Sequence, residues 1–145
     1  MAYATAADLA EETSEQRLLE LTDDEGGLTL EASAVQAILT DQLQDASDLI
    51  DSYISQRYVV PLSPVPDVIE SVCETITLYK LYLRRETVPD SRRDAYRDAI
   101  RWLEAVAAGK VSLPGGEVVS ETAGGPQSST TGVNRIFTRD TLVNY

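Results

Sequence analysis

Apolar residues recur at three- and four-residue intervals through most of the first 110 positions, and this period predicts α-helices. The longest such stretch runs from about 31 to 56, and two others run from about 67 to 86 and from 91 to 108. Two short helices are predicted before them, after the capping sequences Thr5-Ala6-Ala7-Asp8 and Thr13-Ser14-Glu15-Gln16. The predicted fold is therefore all-α, a small bundle of three main helices with short N-terminal helices.

The stretches between the helices contain residues that oppose a helix. Residues 22–27 combine short acids with paired glycines, which is typical of a turn and a poor match to a calcium-binding loop. Three prolines within residues 58–66 predict a rigid, extended crossover. Ser91-Arg92-Arg93-Asp94 predicts a capping box for the last main helix, and Gly109 predicts its left-handed end.

The composition changes after residue 113. Residues 114–133 are rich in glycine, serine and threonine and carry too little apolar surface to order themselves alone. Residues 134–145 restore β-branched and aromatic side chains, including the chain's only phenylalanine. The sequence thus predicts a helical domain at 1–113 and a long arm at 114–145 with an apolar tip, in which short strands are expected near Val118-Val119 and Ile136-Phe137.

Charge is distributed unevenly along the chain. Residues 1–56 contain 13 acids and one base, a balance of −12, whereas residues 57–145 contain 11 of each and balance at zero. The acidic half is therefore a poor candidate for gripping duplex DNA, which requires lysine and arginine against the phosphates.

Composition also limits the chemistry that we expect. Histidine is absent, and Cys73 is the only cysteine, so that no intrachain disulfide can form. No window approaches the roughly 18 apolar residues of a membrane span, and no signal pattern opens the chain. We expect a soluble protein made in the cytoplasm, with no enzyme activity, cofactor or metal. Cys73 and Trp102 lie on or beside apolar faces and are expected to pack in the core.

Two charged helical faces are the candidate sites within the helices. Asp41, Asp45 and Asp48 form one acidic ridge, which is more typical of a solvated face than of a metal or catalytic site. Arg93, Arg97 and Arg101 share a face of the last helix. Pairing with acids of the same helix is one interpretation of these arginines, and contact with the acidic ridge of a neighbouring subunit is the other.

The tip of the arm is the third candidate. It either folds back as a strand on its own domain or docks on a partner, for example by adding a strand to a sheet edge. Its candidate docking residues are Ile136, Phe137, Thr138, Arg139, Asp140, Leu142 and Tyr145.

Four stretches of the chain, in order, resemble the family of Mu-like phage and prophage head-tail connector, or head completion, proteins, formerly described as a domain of unknown function. The first is the opening Met1-Ala2-Tyr3-Ala4-Thr5 with Asp8-Leu9, and the last is Arg135-Ile136-Phe137-Thr138-Arg139-Asp140. Between them, residues 48–66 form the most specific stretch and residues 101–113 a third one.

The resemblance implies a structural virion protein of the phage neck, assembled in the host cytoplasm. It implies a homo-oligomeric ring of about twelve copies on the portal protein, with the C-terminal tip gripping the portal and a tail terminator or stopper protein on the other side. Genomic DNA would pass through without specific binding, and no membrane is involved. In such a ring the acidic ridge is expected to face the channel or a subunit interface.

Two other functions are considered beside the adaptor. One is a tail completion or stopper protein of the same neck. The other, of a different class, is a cytoplasmic helical regulator that binds a partner through its tail. An enzyme is less favoured than either, because no nucleophile and base can be paired.

Overall fold

Five α-helices make up most of the part of the chain that the computed structural model describes, which is residues 1–24, 26–115 and 118. They are α1 (Ala6–Thr13), α2 (Glu15–Thr22), α3 (Ser33–Ile54), α4 (Asp67–Arg84) and α5 (Asp90–Ala107). Within these residues the only β contact is an isolated antiparallel bridge between Tyr58 and Val118. The prediction of three long and two short helices is confirmed.

The core lies where α3, α4 and α5 pack against one another, with α1 and α2 laid across α3 and α4. Its largest completely buried side chains come from all five helices, among them Leu9, Leu18, Ile50, Ile76 and Leu103. Each such side chain stabilises the folded state by about 1.5–3 kcal/mol through burial. The two short helices therefore contribute to the core and are more than an appendage.

The N-terminal ends of α1 and α2 are capped by hydroxyl side chains. The Thr5 hydroxyl accepts a hydrogen bond from the amide of Asp8 (3.4 Å), while the Asp8 carboxylate accepts one from the amide of Thr5 (2.7 Å). This confirms the first capping box. In α2 the cap is Ser14, whose hydroxyl accepts from the amide of Arg17 (3.4 Å). The cap predicted at Thr13 is therefore wrong by one residue, because α1 continues through Thr13.

The capping box predicted at Ser91 is wrong. Helix α5 already begins at Asp90, and its N-cap, Pro89, has no side chain that can form a capping hydrogen bond. Instead the carbonyl oxygen of Pro89 accepts from the amides of Arg92 and Arg93, both at 3.1 Å. Pro89 has φ −59° and an extended ψ of 145°, and the helix begins at the next residue, before the chain reaches the serine.

Gly109 ends α5 in the left-handed conformation, as predicted, with φ at +76°. Its amide donates to the carbonyl of Val106 (3.0 Å), and the next amide, of Lys110, reaches back to Ala105 (2.9 Å). Arg57, in the turn after α3, donates a further hydrogen bond to the same Val106 carbonyl (3.4 Å). The last turn of α5 is thus closed by a glycine and by a guanidinium from the turn that follows α3.

Substitution of Gly109 by alanine tests this helix end. We expect Gly109→Ala to lower the free energy of unfolding by roughly 1–2 kcal/mol, because a Cβ atom disfavours positive φ and would meet the Arg57 guanidinium. Urea titration followed by circular dichroism measures the loss. Gly26→Ala is the matched control, since Gly26 has a similar φ of +79° but open space around the added atom. An equal loss in both variants would show that the Arg57 contact contributes nothing.

Candidate assembly surfaces

Tyr3 fastens the N-terminus to two other parts of the chain. Its backbone amide donates to the hydroxyl of Ser47 in α3 (3.0 Å), and its phenol donates to the carboxylate of Asp51. The same phenol oxygen accepts from the amide of Leu62 in the loop between α3 and α4 (3.0 Å). Burial, together with the hydrogen bond to Asp51, raises the pKa of Tyr3 far above its ordinary value. We call this group of contacts the Tyr3 clasp.

Tyr58 holds the other end of the described chain in the same way. Its side chain is buried, and its hydroxyl accepts from the amide of Leu113 (2.9 Å). Leu113 is itself buried, and Arg57 lies over the Tyr58 ring at 6.0 Å from the ring centroid. The segment after α5 is therefore fixed to the end of α3 at least as far as Leu113.

Arg84 and Arg85, at the end of α4, hold the end of α2 and the turn that follows it. Both guanidiniums donate to the carbonyl of Leu21, at 3.3 and 3.2 Å, and Arg85 also donates to the carbonyl of Asp23 (2.6 Å). Both pair with the carboxylate of Asp24. The hydrogen bond from Arg84 lowers the pKa of Asp24. Arg84 and Arg85 thus form contacts within the subunit.

The turn itself is built by Asp23. One of its carboxylate oxygens accepts from the amide of Gly26 (2.8 Å) and the other from the amide of Leu28 (2.9 Å). Gly26 and Gly27 both have positive φ. This is the turn predicted for residues 22–27, with an aspartate bonded to the backbone that follows it.

Removing both guanidiniums tests the attachment of α2 to α4. We expect Arg84→Ala with Arg85→Ala to lower the free energy of unfolding by about 1–3 kcal/mol, because the carbonyls at the end of α2 lose their donors. Since the pKa of Asp24 is lowered, its ion pairs contribute above its unfolded pKa. The ion-pair contribution disappears as the pH falls through the folded-state pKa of Asp24, so the difference in stability between the variant and the parent should shrink in strong acid. The part due to the hydrogen bonds to the Leu21 and Asp23 carbonyls should remain.

The matched control is Arg93→Ala with Arg97→Ala, which also removes two arginines. These residues are exposed, and among the described residues their ion pairs are with acids of α5, so we expect a change within about 0.5 kcal/mol. A control variant as unstable as the Arg84 and Arg85 variant would contradict the assignment.

The arginine face of α5 is present and is paired along its own helix. Arg93, Arg97 and Arg101 each lie 3.2–3.5 Å from the carboxylate three residues earlier, those of Asp90, Asp94 and Asp98. The interpretation that these arginines pair within their helix is therefore confirmed. The guanidinium side chains are nevertheless 48–75% exposed, and such exposed pairs are weak. Because these pairs are weak, the arginines could instead pair with acids of a neighbouring subunit. The predicted contact with the acidic ridge of that subunit stays a prediction.

The acidic ridge of α3 is exposed along its length. Asp45 pairs with Lys80 of α4 at 3.4 Å, although its side chain remains 61% exposed. Asp48 accepts from the side-chain amide of Gln44 (2.7 Å). Asp41, Asp45 and Asp48 thus form one solvated surface, as the helical spacing predicts, and its place in an assembly stays a prediction.

A second acidic surface lies between α1 and α4, and the sequence analysis missed it. Asp8, Glu11 and Glu12 of α1 and Glu70 and Glu74 of α4 line a depression of about 290 Å³. Burial, and then the negative charges around it, raise the pKa of Glu74. The spacing within each helix was visible in the sequence, but only the packing of α1 on α4 brings the two sets together.

Within the described part of the chain, no group of three or more potential ligands is arranged to hold a metal ion. Cys73 is buried in the core beside Ser47, as expected, and burial raises the pKa of its thiol. Trp102 packs against the core, half-buried. No helix in the described residues has the length and hydropathy required to cross a membrane. The tip residues Ile136, Phe137, Thr138, Arg139, Asp140, Leu142 and Tyr145 lie outside the described residues.

Comparison with known proteins places this bundle in a family. The model of the family described as Bacteriophage Mu, Gp36 matches residues 3–130. The chain belongs to the Bacteriophage Mu Gp36 family. The matched region includes all five helices, the Tyr3 clasp and both acidic surfaces, so the resemblance to Mu-like phage proteins is confirmed. It ends before the tip, so the similarity at residues 135–140 lies outside it.

Two relatives show how far this similarity to the Gp36 family extends. The Mu-like prophage FluMu protein gp36 of Haemophilus influenzae is 45% identical over 78 residues, 54% of this chain and 54% of that protein. The match thus spans about half of the length of that relative. Gene product J of Escherichia phage Mu is 35% identical over 127 residues, 88% of this chain and 84% of that protein.

Proposed function

We propose that the protein is a structural component of the virion, a head-tail connector adaptor that forms a ring on the portal and lines the DNA exit path. Membership of a Mu phage family supports a role in the particle. The observation that carries the proposal is the presence of two unlike charged surfaces on one helical bundle. The acids of α1 line a depression with those of α4, the acids of α3 form an exposed ridge, and the exposed arginines lie along α5.

Two unlike surfaces are what a ring requires. Each subunit of a cyclic ring contacts its neighbours head to tail, so it must present two different and complementary patches. The pairs along α5 are short-range and exposed, so a neighbour's carboxylates can replace their partners at little cost. The role is not catalytic and requires no cofactor.

Binding to the portal tests the proposal directly. The purified chain is mixed with its portal protein, and the complex is imaged together with the neck of the virion. We expect a closed ring of this chain on the portal. A ring further from the head would assign the chain to the stopper position, whereas a monomer or dimer that never binds the portal would overturn the proposal and favour a regulator.

The acidic ridge provides a test of the channel. If Asp41, Asp45 and Asp48 line the exit path, their charge repels the passing DNA. We then expect the triple replacement by lysine to slow genome ejection and reduce plaque formation, while the triple replacement by asparagine has a smaller effect. The asparagine variant also controls for loss of the pair with Lys80. Unchanged ejection in the lysine variant would count against this orientation.

A further inference from the structure

The joint between α1 and α2 is a single residue, Ser14, in an unfavourable backbone conformation. Its φ and ψ angles are 113° and 144°, a region that residues with a Cβ atom rarely adopt. Ser14 both ends α1 and caps α2. Beside it, the Thr13 hydroxyl is buried and has no hydrogen-bond partner among the described residues. Two independent unfavourable features, a buried hydroxyl without a partner and a strained backbone, therefore lie at adjacent residues.

The helix on the N-terminal side of this joint is docked against charges of its own sign. Three acids of α1 face Glu70 and Glu74 of α4 around the acidic depression. Among the described residues, the one cation paired with this group is Arg92, whose guanidinium lies 3.9 Å from the Glu12 carboxylate. Repulsion across the depression lowers the cost of lifting α1 away from α4.

Strong contacts nevertheless hold the same segment in place. Leu9 is completely buried, and Tyr3 and Ala4 are 5% and 4% exposed. The Tyr3 clasp adds hydrogen bonds to α3 and to the loop before α4. Residues 1–13, which we call the N-terminal arm, are thus bound by specific contacts to the bundle but joined to it through a strained residue.

If the N-terminal arm binds the same surface on another copy, Tyr3 and Leu9 keep their contacts and the backbone strain at Ser14 is relieved. When Ser14 becomes helical, α1 and α2 form one helix from residue 6 to residue 22, about 25 Å long. The arm then points away from its own bundle and reaches the same surface on a neighbour. The contacts of Leu9 and Tyr3 and the repulsion between acids are the same in both arrangements, so the backbone of Ser14 decides between them. Short, strained hinges favour this kind of exchange.

We propose that the N-terminal arm of each subunit is exchanged with its neighbour in the assembled ring, docking on the α3 and α4 surface of the adjacent copy. The proposal rests on the proposed function for the ring, but it concerns what joins the subunits. The partner is a second copy of this chain, and the recognition elements are Tyr3 and Leu9.

Cross-linking between mixed copies tests the exchange. Glu12→Cys is made in one tagged copy and Arg92→Cys in a differently tagged copy, because these positions are neighbours in the structure and lie at its surface. The two are refolded together, assembled on portal and treated with a short bismaleimide. We expect a cross-link between the two tags. A copy carrying both substitutions, diluted until monomeric, should cross-link within itself and is the control for reach.

Two hinge variants provide the matched comparison. Ser14→Ala and Ser14→Gly both remove the capping hydroxyl, but glycine tolerates the φ of the present joint and alanine favours a continuous helix. We expect the ratio of exchanged oligomer to monomer to be roughly tenfold or more higher for Ser14→Ala than for Ser14→Gly. Native mass spectrometry measures the two populations.

The outcomes separate the two proposals. A ring on portal without a cross-link between tags, or equal oligomer populations in the two hinge variants, overturns the exchange and leaves the adaptor function intact. Cross-linked closed dimers that never bind the portal support the exchange and overturn the adaptor function.

Discussion

Replacing Tyr3 by alanine should lower the free energy of unfolding by about 3–5 kcal/mol, the largest single loss that we expect from a residue outside the three long helices. The substitution leaves a cavity where a buried ring packed, and it leaves the Leu62 amide without its acceptor. A domain of this size is stable by only about 5–15 kcal/mol, so the variant should be close to unfolding at 37 °C. Urea titration measures the loss.

Two matched variants separate the ring of Tyr3 from its hydroxyl. Tyr3→Phe keeps the packing but removes both hydrogen bonds of the phenol, and we expect a loss of about 1–2 kcal/mol. Tyr82→Phe removes a phenol for which the described residues provide no hydrogen bond, so its effect should stay within about 0.5 kcal/mol. If Tyr3→Phe left the free energy of unfolding unchanged, the Tyr3 clasp would be held by packing alone.

The pH dependence of the same variants gives a second readout. Because the folded-state pKa of Tyr3 is raised, its contribution to stability is complete below the ordinary tyrosine value near 10 and is lost as the pH rises above it. The parent should therefore lose more stability than Tyr3→Phe between pH 9 and pH 11, about one unit on either side of that value.

The Tyr3 clasp also shows where sequence reasoning reaches its limit. Local signals were sufficient for the helices, because a 3.6-residue period, a capping threonine and a terminal glycine act within one or two turns of chain. The contacts of Tyr3 with Ser47 and Leu62 join residues that are 44 and 59 positions apart. No hydrophobic periodicity predicts contacts between residues so far apart in the chain. Tyr3, which attaches the N-terminus to the bundle, therefore appears in the sequence analysis only as part of the family resemblance.

The errors in predicting caps have a similar cause. A capping box at Ser91 is a valid local pattern, but Pro89 provides an earlier start, and two competing local signals cannot be ranked without the loop that precedes them. At Thr13 and Ser14 the choice depended on how tightly α1 turns into α2. Ser14 adopts a strained backbone conformation between the two helices, and the burial of Leu9 and Leu18 in one core offsets that strain.

For the charged surfaces, the sequence predicted the acidic ridge of α3 and the arginine face of α5, but it could not predict a surface made by two helices. The α5 arginines lie together as their spacing requires, whereas Arg84 and Arg85 are used at the end of α2. The acids of α1 form a shared surface only because α1 packs beside Glu70 and Glu74 of α4. Surfaces made by two elements depend on the packing angle between helices, which a single sequence does not encode in any local pattern.

Removal of residues 134–145 should leave the bundle intact and abolish joining to heads. In the described structure the buried core side chains lie between Tyr3 and Leu113, so the urea midpoint of the truncated chain should match that of the parent. If Ile136 and Phe137 are the apolar anchors on the portal, their loss should weaken binding about a thousandfold, as expected for two buried hot-spot residues.

Ile136→Ala with Phe137→Ala should reproduce most of the truncation's effect, whereas Thr141→Ala with Asn144→Ala should retain binding. Portal binding is measured by surface plasmon resonance, and particle joining by complementation of a phage that lacks the gene. Full head joining by the truncated chain would remove the tip from the proposed function. It would then leave the charged faces of α3 and α5, with the N-terminal arm, as the surfaces that hold the assembly together.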